Sequence, residues 1–288
     1  MTRRPRSNRP PRLDAPTPPA ARATPPPAPT TRRLLVAGHV AGPHARFGRT
    51  EVAAIVARLA AGHPGATFGL DLGPISRDEA WEAIQDGWGY DGAAARASIE
   101  PQRTIAAARN AAVRLRAVAC TGGKVALATG RPASLLGVYR ALAMALAAAG
   151  AEVLACEAFG PFASDRSLWW VDGVGVVTDG ASLLADDGAV AGAEWMFAVG
   201  RPDLVVADRG FAGAALAAGC ETVALADLDA AVLGVAADRH LPACLVPIDD
   251  QRPPEAYAPL VAELTAPGPH STTPAPQAYA GPESGGEG

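Results

Sequence analysis

The amino-acid sequence predicts an α/β fold: a three-layer, Rossmann-like sandwich in which helices cover both faces of a mainly parallel sheet. Two observations support this prediction. Short apolar runs alternate along the chain with segments whose apolar residues recur every three or four positions, which is the spacing of a helix face. Glycine or charged residues follow most of the apolar runs, as is typical where strands end in loops.

The first half of the core is expected to be rich in helix. Ser76 is followed three positions later by Glu79, which fits a capping box at the start of a helix. Pro101 favours the first turn of another helix, which should run to about residue 118. In chain order, the expected elements are an apolar segment followed by a loop at 33–39, a helix at about 49–61, a short strand or extended segment at 67–73, and the two helices opened by these residues.

The second half alternates more regularly. After the apolar run 125–128, Leu135 and Val138 begin a helical pattern that Gly150 stops. The expected strands are 125–128, 152–156, 174–178, 203–207, 222–226 and 243–248. The expected helices are 133–148, 189–199, a short helix that ends before 219, and 254–265.

Both ends of the chain differ from this core. Residues 1–31 are dominated by Pro, Arg and Ala, and residues 266–288 are similar in character but less charged. Neither segment has enough apolar side chains to offset the entropy of ordering, so both are expected to be disordered. Residues 32–265 are then expected to form a single α/β domain.

Charge and composition exclude several classes of protein. The residues up to position 33 contain eight Arg and one Asp, which gives this segment a charge of +7. Because the net charge of the whole chain is −4, the remaining residues carry −11. An acidic core argues against nucleic-acid binding by the core. No run of about 18 apolar residues indicates a membrane span. The four cysteines include no CxxC pair and suggest free thiols in a reducing compartment, hence a cytoplasmic protein.

Polar residues directly follow four of the expected strands. Thr129, Asp208, Asp227 and Asp249 each stand at the carboxyl end of an apolar run. In open parallel sheets, ligands bind at that edge. If the four strands are neighbours, these residues share one rim.

The loop after the first of these strands is suited to an anion. Thr129, Gly130, Arg131 and Ser134 offer a hydroxyl, an unhindered amide, a guanidinium and a helix N-terminus, which together favour phosphate. The alternative is structural: Gly130 only makes the turn and Ser134 only caps the helix.

Carboxylates are frequent in the strand-end loops. Converging carboxylates are the ligands that Mg²⁺ or Mn²⁺ prefers, and such an ion could clamp a phosphate and activate water. Asp208 and Asp249 are the best catalytic candidates because each directly follows a strongly apolar strand, and with Asp187 they form the expected metal set. Any single aspartate in these loops is more often a cap or turn residue than a ligand.

Other catalytic signatures are missing or weak. The Gly-Gly-Lys at 122–124 lacks the remaining residues of a P-loop, and neither GxGxxG after a strand nor GxSxG occurs. His39 and His44 could be ligands, but their Gly- and Pro-containing surroundings favour plain loop residues.

An ordered set of motifs resembles a phosphatase family of high-GC, actinobacterial bacteria. The motifs are HVAGPHA, TFGL, IEPQRTIAA, ALATGRPASLLGVYRALAMALAAAGAEVL, LVVADRGFAGAALAAG and VPIDDQRPPEAY, which together span about residues 38–264. The resemblance implies hydrolysis of a phosphomonoester.

This sequence departs from the family pattern at two places. A His-Thr-His-Ser-Pro run is replaced by residues 185–189, Ala-Asp-Asp-Gly-Ala, and an Ala-Asp-His-Gly motif carries Arg209 in place of its histidine. Asp186 or Asp187 could replace a metal ligand, whereas Arg209 cannot bind a metal. Either the metal site has been rebuilt from carboxylates, or catalysis has been weakened.

Three functions follow as hypotheses. The first is a metal-assisted phosphatase that acts on a small phosphorylated metabolite. The second is a catalytically weakened relative that binds a phosphate ligand without hydrolysing it. The third is a sugar- or nucleotide-processing transferase that uses the same rim.

Overall fold

The computed structural model of the protein describes residues 29–156 and 159–266. Most of the two predicted disordered tails, residues 1–28 and 267–288, lies outside the described residues. The helices are α1 Thr31–Ala37, α2 Arg49–Ala60, α3 Pro64–Thr67, α4 Arg77–Trp88, α5 Pro101–Cys120, α6 Pro132–Ala148, α7 Ala189–Val199, α8 Arg209–Ala217, α9 Ala231–Asp238 and α10 Ala258–Leu264. The strands are β1 Gly42–Gly48, β2 Arg96–Ile99, β3 Lys124–Ala128, β4 Glu152–Leu154, β5 Phe159–Ala163, β6 Arg166–Val171, β7 Val174–Thr178, β8 Leu183–Leu184, β9 Leu204–Ala207, β10 Thr222–Ala226 and β11 Ala243–Pro247.

A mixed sheet forms the middle layer, in the order β11-β10-β9-β3-β7-β6-β5. The strands from β11 to β7 are parallel, and β4 pairs in parallel with the first half of β3. Strands β5, β6 and β8 add an antiparallel region. Helices α5, α6 and α10 pack together against the sheet, and α7, α8 and α9 form the second helical layer with α2 and α4. The predicted three-layer, mainly parallel α/β fold is confirmed.

The central strands are apolar because both faces of the sheet are covered. Residues 125–128 of β3 and all of β9 are fully buried, which is why they appear in the sequence as continuous apolar runs. Helix α6 begins with a proline and buries Leu135, Val138 and Leu142 along one face, as its spacing predicts. Ser76 caps α4 by accepting a hydrogen bond of 3.0 Å from the Glu79 amide.

The N-terminal region differs most from the prediction. Residues 33–39 lie mainly in helix α1, which starts after the Thr30 cap and buries Leu35 alone. Residues 67–73 form no strand: α3 ends in this segment, and irregular backbone follows it. The pair β1 and β2 forms a separate two-stranded sheet, which has no clear apolar alternation to announce it.

No helix within the described part of the chain is both long and apolar enough to cross a membrane. The four cysteines are free, and Cys120 is exposed. The cytoplasmic location stays a prediction.

Candidate active site

The four strands that precede the predicted polar residues are neighbours. Strand β3 pairs with β9, β9 with β10, and β10 with β11, all in parallel. Thr129, Asp208, Asp227 and Asp249 therefore lie along one edge of the sheet. All four are buried.

Asp208 connects the loop after β3 to the end of β9. Its Oδ2 accepts a hydrogen bond of 2.5 Å from the Thr129 hydroxyl, and its Oδ1 accepts one of 2.7 Å from the Gly130 amide. Burial raises the pKa of Asp208 above its usual range, although these hydrogen bonds act in the opposite direction. The donors expected to hold phosphate at Thr129 and Gly130 thus already have a partner. Asp208 itself is occupied as their acceptor, a setting that suits a positioning residue better than the expected catalytic one.

The other two expected phosphate-binding residues have different surroundings. Ser134 donates its hydroxyl to the Asp250 carbonyl oxygen at 2.5 Å, so it supports the loop after β11. The Arg131 guanidinium is 12% exposed, and its Nη2 lies 2.7 Å from Asp187 Oδ1. Arg131 also lines an open cavity, so it is the member of the expected set that offers charged donors to a ligand.

Charged side chains converge on this edge in what we call the rim cluster. It contains carboxylates and guanidiniums joined by ion pairs of 4.0 Å or less, with one histidine among them. Its members are His44, Arg46, Arg131, Asp187, Arg209, Asp227, Asp229, Asp249, Asp250 and Arg252.

Arg209 lies at the centre of the rim cluster and is only 3% exposed. Its Nη2 is 2.6 Å from Asp250 Oδ2 and 3.1 Å from Asp229 Oδ1, and its Nη1 is 3.1 Å from Asp187 Oδ1. Burial alone would lower the pKa of Arg209, but the surrounding carboxylates raise it overall. The backbone has φ +48° at this residue, a strained conformation for a side chain of this size, which tends to persist where function requires it.

The pKa values of three neighbouring carboxylates are shifted in different directions. Burial and the charge of Asp227 hold the pKa of Asp250 well above its usual range, and burial also raises the pKa of Asp229. Burial would raise the pKa of Asp227 as well, but the hydrogen bond from His44 and the charge of Arg46 lower it. Of the three, Asp227 therefore ionises most readily, and Asp250 holds a proton to higher pH than Asp227 does.

His44 belongs to the site, and its interpretation as a plain loop residue was wrong. It lies in β1, is 1% exposed and stacks on Phe47 with ring centroids 4.5 Å apart. Its Nδ1 accepts hydrogen bonds of 3.1 Å from the amides of Arg46 and Phe47, so Nε2 carries the proton and donates it to Asp227 Oδ1 at 2.8 Å. No spacing in the sequence reveals this, because the partner carboxylate is 183 residues away.

Two glycines bring the loop after β8 onto the rim. A Cβ on Gly130 would lie 2.1 Å from the Asp186 carbonyl oxygen, and a Cβ on Gly210 would lie 2.2 Å from that of Gly188. Only glycine permits these approaches, which place Asp187 between the two guanidiniums of Arg131 and Arg209.

A cavity of about 660 Å³ opens beside the rim cluster. Its wall combines two guanidiniums with apolar and small side chains, and it includes the N-terminus of α6. The lining includes Arg131, Ser134, Leu183, Ala185, Arg252 and Pro253. The cavity is large enough for a small organic molecule whose anionic end faces the arginines.

The residues present do not fit the expected Mg²⁺ or Mn²⁺ without rearrangement. Within the described ranges, three ligand atoms come together at His44, Asp227 and Asp249, and at Asp227, Asp229 and Asp250. Of the expected ligands, Asp187 and Asp208 belong to neither group. His44 presents a protonated Nε2 to the first group, and the second already contacts Arg46 and Arg209. Asp249 Oδ2 is buried and accepts no hydrogen bond, although Arg252 Nε lies 3.1 Å and His44 Nε2 lies 3.6 Å from it.

Comparisons with known proteins identify the family of the chain. The model of a family described as Phosphatase matches residues 28–267, which is most of the chain. A phosphatase of Streptomyces coelicolor is 34% identical over 254 residues, which cover 81% of this chain and 91% of that protein. No solved structure matches the chain significantly. The resemblance seen in the sequence is thus confirmed, and the chain belongs to this phosphatase family.

Proposed function

We propose that the protein hydrolyses a small-molecule phosphomonoester, a phosphorylated small metabolite, at the rim cluster. The observation that carries this proposal is the position of Arg131 and Arg252. Both arginines line the cavity, and Arg252 Nε forms an ion pair of 3.1 Å with Asp249 Oδ2, a buried oxygen that accepts no hydrogen bond. Donors for a phosphate therefore lie at the cavity wall, and an acceptor for a proton is buried behind the wall, next to one of them.

The phosphate is held by charge-assisted hydrogen bonds. Arg131 and Arg252 donate to its oxygens, because planar guanidiniums match phosphate geometry. The N-terminus of α6 adds the positive end of a helix dipole to the same wall. The organic part of the substrate then lies against Leu183 and Pro253, away from the carboxylates.

Two aspartates handle the protons. Asp249 Oδ2 accepts a proton from the attacking water while the water oxygen forms the new bond to phosphorus. Asp250, whose pKa is raised by burial, gives its proton to the leaving ester oxygen as the old bond breaks. Asp208, Thr129, Gly130 and Ser134 act as positioning residues, since their polar groups are bound to one another or to the loop after β11.

Phosphate release from a panel of phosphomonoesters tests this proposal. We expect turnover by the wild type, and a decrease in kcat of about 10²–10⁴-fold in Asp249→Asn, the usual contribution of a general base. Asp172→Asn is the matched control, because Asp172 is 55% exposed, pairs with Arg140 on the surface and has φ +50°, which asparagine tolerates. Equal turnover in Asp249→Asn and the control would refute the role of Asp249.

A second candidate is binding without hydrolysis. It is favoured by the internal pairing of the site: Thr129 and Gly130 donate to Asp208, and Arg209 is surrounded by carboxylates. Inorganic phosphate that raises Tm, in a protein that releases no phosphate from any ester of the panel, would support binding alone.

A further inference from the structure

We infer that the rim cluster works without a divalent metal ion, because Arg209 supplies the cation around which its carboxylates gather. This inference rests on the proposed function for the identity of the ligand, a phosphate group. Its test is the binding of metal, which can be measured whether or not the protein turns over a substrate.

The charges of the rim cluster nearly balance without any ion. Five carboxylates, those of Asp187, Asp227, Asp229, Asp249 and Asp250, are paired with four guanidiniums. If all nine of these groups are charged, their net charge is −1. Carboxylate sites for Mg²⁺ or Mn²⁺ instead present an excess of negative charge that the ion neutralises.

Arg209 makes the contacts that a metal ion would make. Three carboxylates, of Asp187, Asp229 and Asp250, lie within 3.1 Å of its terminal nitrogens. The guanidinium is 3% exposed and lies 6.0 Å from the centre of the Phe68 ring, so it has packed neighbours besides its ion pairs. It is a fixed part of the site.

His44 opposes a metal ion at the other group of ligands. For Nε2 to bind metal, the proton of the neutral ring must move to Nδ1. Nδ1 lies 3.1 Å from the amide nitrogens of Arg46 and Phe47, both of which donate hydrogen bonds to it. A proton on Nδ1 would break both hydrogen bonds and place three donor hydrogens against one another. His44 therefore serves as a hydrogen-bond donor to Asp227.

Displacing a guanidinium to admit an ion is unfavourable. An ion at Asp227, Asp229 and Asp250 would have to push Arg46 or Arg209 from its carboxylates. For Arg209 this removes two of its three carboxylate partners from a buried charge, and breaking buried ion pairs is strongly destabilising.

Equilibrium dialysis of the full chain against Mn²⁺ tests the inference, with phosphate release measured in EDTA alongside. We expect no stoichiometric Mn²⁺ on the wild type and no change in its Tm or its phosphate release with EDTA. Arg209→Gln, which removes the central cation, should gain Mn²⁺ binding, and Mn²⁺ should raise its Tm. Arg140→Gln, on the surface of α6, should behave as the wild type.

One Mn²⁺ bound per wild-type chain, and lost in Asp227→Asn, would overturn the inference. If Arg209→Gln does not fold, dialysis of the wild type decides alone. Absence of both turnover and Mn²⁺ binding would reject the proposed phosphatase and support the metal-free site. Turnover that EDTA abolishes would support the phosphatase and reject the metal-free site.

Discussion

Asp208→Ala is expected to destabilise the protein because it removes an acceptor shared by two buried donors. The Thr129 hydroxyl and the Gly130 amide lose partners at 2.5 and 2.7 Å, and both residues are buried. Each orphaned donor costs roughly 1–3 kcal/mol, so the variant should lose roughly 2–6 kcal/mol. This is a large part of the roughly 5–15 kcal/mol that stabilises an ordinary domain.

Asp208→Asn should cost about half as much. Its carbonyl oxygen still accepts from Gly130, but its NH₂ group now faces Thr129 Oγ1, which already accepts from the Arg131 amide at 2.9 Å. The hydroxyl proton of Thr129 alone is left without an acceptor, at a cost of roughly 1–3 kcal/mol.

Urea unfolding of the wild type and both variants measures these costs from the shifts in midpoint at constant m-value. A stable Ala variant would show that the two donors find other partners, and would remove the positioning role of Asp208. Equal losses in Ala and Asn would show that the charge of Asp208, rather than its hydrogen bonds, holds the loop.

Three further predictions concern the same loop. Gly130→Ala would place a Cβ 2.1 Å from the Asp186 carbonyl oxygen and should reduce stability and turnover together. The control Gly137→Ala, on an open helix face, should raise stability by about 0.5–1 kcal/mol and leave turnover unchanged. Equal effects of the two substitutions in parallel assays would contradict this prediction. Ser134→Ala should leave KM unchanged, because its hydroxyl donates to a backbone carbonyl; a clear rise in KM would assign it to phosphate instead. Burial raises the pKa of Asp208 in the native state, so the stability that this group contributes is present at low pH and is lost as pH rises through that pKa. Asp208→Asn should therefore lower the free energy of unfolding more near pH 4 than near pH 7. Urea unfolding that gives a larger loss near pH 7 would contradict this direction.

The regular α/β part of the fold could be predicted from the sequence because its signals are local. Strand β3 is a continuous apolar run, and α6 repeats its apolar residues at helical spacing, so each element is visible within a short window. The order of the strands is not local. It depends on packing between segments far apart in sequence, and only the structure brings β9 beside β3.

The site was harder to predict than the fold for the same reason. The sequence can place the residues that follow apolar strands on the rim, since a strand end is a local feature. It does not reveal their partners: His44 and Arg46 come from β1, a strand without a clear sequence pattern, and reach Asp227 across about 180 residues. The pairing of Arg209 with several carboxylates likewise depends on three separate loops.

The measurement that tests the central claim most directly is the dissociation constant of inorganic phosphate, the expected product, for the wild type, Arg131→Gln and Arg140→Gln. A hydrogen bond to a charged group contributes roughly 1.5–3 kcal/mol, so Arg131→Gln should bind phosphate roughly 10- to 100-fold more weakly. Arg140→Gln, which removes a surface guanidinium from the same helix, should bind as the wild type does. Unchanged affinity in Arg131→Gln would contradict the account, because phosphate would then bind away from the rim cluster.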